Sequence, residues 1–300
     1  MNTSPQTRGP LRAVTSGMRV PQWVKNGLVF IAPAASGRLF HADVLENSFI
    51  AFFTFCAIAS CIYLTNDIRD VEDDRTHPTK QFRAIASGQL KVGAAVVLAV
   101  VLAVAACFLP LLLNHPLGLY VVLGLYVLES FSYIAGIKRV ALIEMAFVAS
   151  GFFLRAYAGA AASHIPVSEW FLVVISFGAL FLVIGKRSAE LRNVGVKNRV
   201  VLKDYTPEFL NSALTMAATV VVTAYCLWAF DTSATGLSSV KHLTIPIRLT
   251  VAPVVLAVLF IIRGASSPAG EAPEDLLLRN HTVQILALVW AVLVGIGVYG

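Results

Sequence analysis

Nine apolar runs are spaced along the chain, at roughly residues 22–36, 47–65, 92–113, 117–135, 140–162, 169–185, 208–230, 245–262 and 281–299. A helix needs about 20 consecutive apolar residues to cross the hydrocarbon core of a bilayer, and most of these runs approach that length. The pattern predicts an all-α membrane protein with nine transmembrane helices. The first run is the weakest, because Pro21, Lys25, Asn26, Pro33 and Gly37 make it short and polar at one end. An oblique entry into the bilayer is expected there. No linker separates two folding units, so the organisation expected is a polar N-terminal tail over 1–21 followed by one membrane domain over 22–300. Two long polar loops, 66–91 and 186–207, hold most of the side chains able to do chemistry, and GASSPAGEAPED at 264–275 reads as a solvated connection.

Composition strengthens this picture: the chain is 57% hydrophobic, and its mean hydropathy of +0.76 lies above that of a soluble domain. A net charge of +6 would suggest nucleic acid in a soluble chain. Here the distribution of Lys and Arg explains it, and no nucleic-acid partner is expected. One set of alternate segments carries Arg8, Arg12, Arg19 and Lys25, then the basic residues of 69–91, then Lys138 and Arg139, then those of 186–203, then Arg263 and Arg279. The other set holds only Arg38, Lys241 and Arg248. Basic residues stay on the cytoplasmic side, which puts the N-terminus and both long loops in the cytoplasm, the C-terminus outside, and the protein in the plasma membrane as a multi-pass chain. The N-terminal stretch is polar and basic, unlike a cleavable signal. Cys56, Cys61, Cys107 and Cys226 fall inside apolar runs without metal-type spacing and read as small buried hydrophobes.

The second run ends in an acidic cluster. Asp67, Asp70, Glu72, Asp73 and Asp74 crowd into eight positions. Asp67, Asp70 and Asp74 are three and four residues apart, which on a helix places them on one face, with Asn66 beside the first. Three oxygen donors on one stripe suit Mg²⁺, which takes one or two carboxylates and completes its shell with water and substrate phosphate. The bland reading is a solvated helix end neutralised by Arg69 and Arg75. Its position at the end of a membrane helix, with Lys80 and Arg83 following, favours a diphosphate site. Lys25, Lys80 and Arg83 are candidate phosphate ligands that read equally as interface cations. Tyr133 and Lys138 close the fourth run and border the same face. Glu129, Glu144 and Arg155 lie at membrane depth, where each charge requires a partner or a wet cavity. His77 reads as a loop residue.

NDIRDVEDD at 66–74 resembles the NDxxDxxxD motif of the UbiA superfamily of intramembrane prenyltransferases, and TKQFRAIASGQL at 79–90 is similar to that family's following Arg-containing, Ser-Gly-ending segment. The resemblance implies nine helices around a central cavity with the aspartates at its cytoplasmic mouth. Ordinary members carry a second aspartate motif after the sixth helix. This chain has FLVIGKRSAELRN there, with Lys186 and Arg187 in place of acids. A basic pair cannot bind Mg²⁺ but can bind phosphate directly.

One branch of the superfamily shows this combination, and QWVKN at 22–26, GFFLRAYAGA at 151–160, GKRSAEL at 185–191 and YTPEFL at 205–210 resemble it too. Ala84 and Glu144 depart from that branch's usual Pro and Asp. The resemblance implies transfer of a 5-phosphoribosyl group from phosphoribosyl diphosphate to decaprenyl phosphate, with Mg²⁺ as cofactor. Asp67, Asp70 and Asp74 are then the catalytic and metal-binding set, and Lys25, Asn66, Lys80, Arg83, Tyr133, Lys138, Arg155, Lys186 and Arg187 the substrate-binding set. The expected partners are the two substrates, membrane lipid and a second copy of the chain in a homo-oligomer. Two other readings stay open: a prenyltransferase acting on an aromatic or other small acceptor, and a cation-coupled transporter or lipid carrier.

Overall fold

The computed structural model describes residues 9–193, 200–231, 244–267, 273, 276 and 279–299. The described residues are helical and connected by turns, with no strand. Helix α1 (Pro10–Gly17) precedes a 3₁₀ segment, Val20–Phe30, and a short α2 (Ile31–Ala35). The long α3 (Ala42–Arg69) runs into the polar region and is followed by α4 (Val71–Thr76). Then come α5 (Val92–Phe108), α6 (Leu117–Ala135), α7 (Ile143–Ser163), α8 (Glu169–Asn193) and α9 (Pro207–Phe230), and finally α10 (Thr244–Leu249), α11 (Val251–Ala265) and α12 (His281–Tyr299).

Eight of the described helices are long and apolar enough to cross a membrane, with α10 and α11 together making one of them. The first predicted run is not a regular α-helix. Pro21 and Pro33 each lack an amide donor, and the chain between them winds as 3₁₀ before a single α turn. The ninth element is thus a bent segment packed against α3 and α7. Its backbone approaches α7 so closely that a Cβ at Gly159 would sit 1.9 Å from the Val29 carbonyl oxygen, so only glycine fits there.

Neighbouring helices in sequence pack in space, α6 on α7, α7 on α8 and α8 on α9, while α3 crosses back to touch α5 and α7. The C-terminal end of α12 closes the ring, with the Tyr299 hydroxyl donating to the Ala34 carbonyl at 3.1 Å and its ring 5.0 Å from Phe40. Helices α5 and α12 turn Val97, Val100, Val101, Leu288 and Val292 outward, as expected of faces whose solvent is lipid. Inside the ring lies a cavity of about 560 Å³, bounded by the first segment, α7, α8, α9, α11 and α12 and lined almost wholly by apolar side chains such as Phe152, Ile175 and Trp290. Lys25 marks one point of its wall.

Candidate active site

Helix α3 carries the first carboxylates beyond the apolar core. It stops at Arg69; Asp70 has φ −94° and ψ 12°, and α4 restarts at Val71. This break changes the expected stripe. Asp67 and Asp74 are buried and turned toward one another's cation: Arg83 Nη1 donates to Asp67 Oδ1 at 3.0 Å and to Asp74 Oδ2 at 2.7 Å. Asp70 instead accepts from its neighbour Arg69 at 3.0 Å, at the surface. Arg19 Nη2 donates to Asp67 Oδ1 at 2.6 Å, and Lys80 Nζ stands 3.9 Å from Asp74. Glu72 pairs with Arg75 on the exposed side of α4.

The loop that brings Arg83 back depends on a tight turn at Gly88, where φ is +76°. The Leu90 amide donates to the Ala84 carbonyl at 2.8 Å, and Ala84, Ile85 and Leu90 pack on Leu64. The arginine is therefore held against the aspartates by a small apolar core of its own. The donor set is all oxygen, from two buried carboxylates sharing one cation, and it fits a hard divalent ion that takes one or two carboxylates. Among the described residues no group of three acidic, His or Cys side chains converges.

The basic motif lies elsewhere and behaves differently. Arg187 is buried, and its Nε and Nη2 donate to the two oxygens of Glu144 at 2.7 and 2.8 Å, a bidentate pair between α8 and α7. Its Nη1 donates to Glu190 at 2.7 Å. The half-buried Lys186 precedes it on α8. Tyr133 lies close enough to contribute to the electrostatics around Arg187. Lys138 sits in the turn between α6 and α7, Ile137–Arg139. That turn leads to Leu142, whose φ of 65° is unusual for a branched residue and whose amide donates to the Tyr205 hydroxyl at 2.8 Å. Burial pushes the Tyr205 phenol above its usual pKa.

Arg155 occupies the middle of α7. Its Nε donates to Asn26 Oδ1 at 2.9 Å, its Nη1 to the Gly151 carbonyl at 2.6 Å and its Nη2 to the Tyr126 hydroxyl at 2.7 Å. The Tyr126 ring also faces the guanidinium at 4.7 Å. Arg155 thereby ties the first segment, α6 and α7 together, which answers the partner requirement of a charge at membrane depth. Asn66 is half-buried on the last turn of α3 beside Asp67, and Lys25 is exposed at the cavity wall.

The structure thus brings together Asp67, Asp74, Lys80 and Arg83, keeps Asp70 at the margin, and engages Arg155 and Arg187 in protein pairs. Sequence reasoning missed Arg19, which was counted only as one of many cytoplasmic cations. It lies 48 residues from its partner Asp67, and no local spacing relates the two.

A family profile for the UbiA prenyltransferase family matches residues 28–297. The chain is 41% identical over 304 residues to a decaprenyl-phosphate phosphoribosyltransferase of Corynebacterium glutamicum, spanning 97% of this chain and 90% of that one. It is 40% identical to the Mycobacterium tuberculosis protein of the same name, over 95% of this chain and 94% of the relative. A solved UbiA homologue from Archaeoglobus fulgidus, bound to GPP and Mg²⁺, superposes with a TM-score of 0.64 over 95% of this chain and 98% of that one, at 15% identity. A digeranylgeranylglyceryl phosphate synthase structure gives the same TM-score at 17% identity, covering 98% and 99% of the two chains. With the fold in agreement, the chain belongs to the UbiA prenyltransferase family.

Proposed function

We propose that the protein transfers the 5-phosphoribosyl group of phosphoribosyl diphosphate to a polyprenyl phosphate, decaprenyl phosphate being the acceptor named in its relatives, with release of diphosphate. The observation that carries this reading is identity of about 40% running almost the full length of both chains. A cation-rich carboxylate pair and an apolar cavity are what such a reaction needs: one for a polyanionic sugar, the other for a lipid.

Asp67 and Asp74 are the residues that would hold Mg²⁺, with Asp70 as a further candidate from the edge. When bound, the ion supplies positive charge to a departing diphosphate. Arg83 and Lys80, already drawn to these carboxylates, are placed to exchange carboxylate for phosphate oxygens when substrate enters. Lys25 and Lys138 are offered for the acceptor's phosphate, and Lys186 for the sugar diphosphate. The acceptor phosphate is ionised near neutral pH, so attack on ribose C1 requires no general base; position and charge carry the reaction. Lys and Arg placement supports a cytoplasmic site in the plasma membrane.

Purified protein given labelled phosphoribosyl diphosphate, decaprenyl phosphate and Mg²⁺ is expected to release diphosphate and label the lipid. Diphosphate release from a prenyl diphosphate instead, with no label from the sugar, would replace this reading by the ordinary prenyltransferase one.

A further inference from the structure

We infer that the N-terminal arm carries a phosphate-monoester subsite, formed by Arg12, Arg19 and Gln22 beside the aspartates, that takes the 5-phosphate of the sugar diphosphate. This rests on the phosphoribosyl reading above and adds a recognition element to it. A cavity of about 420 Å³ opens between α1 and the start of the 3₁₀ segment, lined by Arg12, Thr15, Ser16, Arg19, Pro21 and Gln22. Two arginines and one glutamine line it, and no acidic residue does. Arg12 pairs with no acidic side chain among the described residues. A guanidinium has five N–H donors; that of Arg19 gives one nitrogen to Asp67 and has no other hydrogen-bond acceptor among the described residues. Thr15 spends its hydroxyl proton on the Leu11 and Arg12 carbonyls, so the donors in the cavity come mainly from the arginines and Gln22.

The arm is docked. Ala13 is buried, a Cβ at Gly17 would come within 2.9 Å of Leu90, and the Met18 carbonyl accepts from Ser60, which in turn accepts from Trp23 Nε1 at 3.0 Å. That packing holds Arg19 in the left-handed region, φ 52° and ψ 46°, with its guanidinium 4.6 Å over the Tyr63 ring. A non-glycine residue kept there costs free energy that surrounding contacts must over-determine, and such residues concentrate at functional sites. The result is an arginine that touches Asp67 on one side and lines an arginine-rich cavity on the other. A ligand with two separated phosphate groups matches this arrangement in kind: its diphosphate goes to the aspartate side and its monoester to the arm. A prenyl diphosphate has no separate phosphate monoester, so the arm also selects between donor classes.

Calorimetric titration of the purified full-length protein with Mg²⁺ present tests this, using phosphoribosyl diphosphate, ribose 5-phosphate and inorganic diphosphate as ligands. Arg12→Ala is expected to weaken the first two about tenfold, the loss of one charge-assisted contact, and to leave inorganic diphosphate within about twofold. Arg19→Ala, which also removes a cation from Asp67, should weaken all three ligands; should that variant unfold, Arg12→Ala, which loses no ion pair among the described residues, decides. Unchanged binding in Arg12→Ala, or an equal loss for inorganic diphosphate, overturns the subsite while wild-type transfer to lipid leaves the phosphoribosyl reading standing. A defect confined to binding of vesicles containing anionic phospholipid also overturns it, assigning Arg12 to headgroups. Failure of the wild type to bind phosphoribosyl diphosphate at all removes both.

Discussion

Two sets of charges on this protein look alike in sequence and differ in what surrounds them. At the α3 end, Asp67 and Asp74 are held by Arg19 and Arg83, whose side chains keep 29% and 28% of their surface exposed. Between α7 and α8, Glu144 and Arg187 are 0% and 3% exposed and satisfy one another in a bidentate pair. The arginines of the first set reach water and can turn to a phosphate, while the carboxylates they leave, 6% and 2% exposed, take another cation in their place. The second cannot: breaking it leaves a charge stranded among apolar side chains. A set whose cations face water is exchangeable and suits a substrate site, whereas the closed pair works as a pin between helices, and the basic motif at 186–187 divides its labour accordingly.

The most severe way to test that division is to break the pin. Arg187→Ala or Glu144→Ala should cost about 3–5 kcal/mol of stability, the penalty of an uncompensated buried ion, read as a fall in the denaturation midpoint in detergent. Replacing both together, Glu144→Leu with Arg187→Met, should recover most of the loss. A stable Arg187→Ala protein with raised KM for the sugar diphosphate would return Arg187 to the substrate.

Next in size is the exchangeable set. Asp67→Asn and Asp74→Asn should reduce turnover about 10²–10³-fold, the scale of losing a group that stabilises developing charge, with little change in unfolding midpoint. Asp70→Asn is expected to lose less, because its carboxylate faces Arg69 at the surface. Equal losses at all three positions would restore the three-carboxylate stripe. Lys186→Ala should raise the KM for phosphoribosyl diphosphate about tenfold, one charge-assisted contact. No change in sugar dependence would leave the aspartate loop and the N-terminal arm as the whole donor site.

Long apolar runs made the helices legible, because a segment solvated by lipid has to satisfy its backbone internally and advertises this by composition. The first run was harder to read: Pro21 and Pro33 signalled trouble, but whether the chain would kink, wind as 3₁₀ or cross obliquely depends on how closely Gly159 lets it approach α7. The acidic motif was legible as a cluster, and its geometry was not. Spacing of three and four residues assumes one continuous helix, whereas the break at Asp70 sends that carboxylate away from its neighbours. Its position in the second motif likewise placed Arg187 with the phosphate ligands, since nothing local reveals that Glu144, 43 residues earlier, is its partner. Arg19 escaped for the same reason in reverse.

The smallest effect probes the hinge between the two regions. Lys138 is carried on the turn before α7, and that turn ends in Leu142, whose strained backbone is held by one hydrogen bond from its amide to the Tyr205 hydroxyl. Tyr205→Phe removes the acceptor and keeps the ring, which stacks on Phe209 at 6.1 Å, so packing is preserved. The net loss should be about 1 kcal/mol, the worth of an ordinary hydrogen bond. Because the bond fixes a local conformation, the loss should appear as local opening: amide exchange at Leu142 should quicken about fivefold while α3 and α4 retain their protection. Exchange that rises equally in α3 would mean that Tyr205 supports the whole bundle and that the two regions are not independent. Unchanged exchange at Leu142 would mean that packing alone holds the turn, leaving the hydroxyl no part in positioning Lys138.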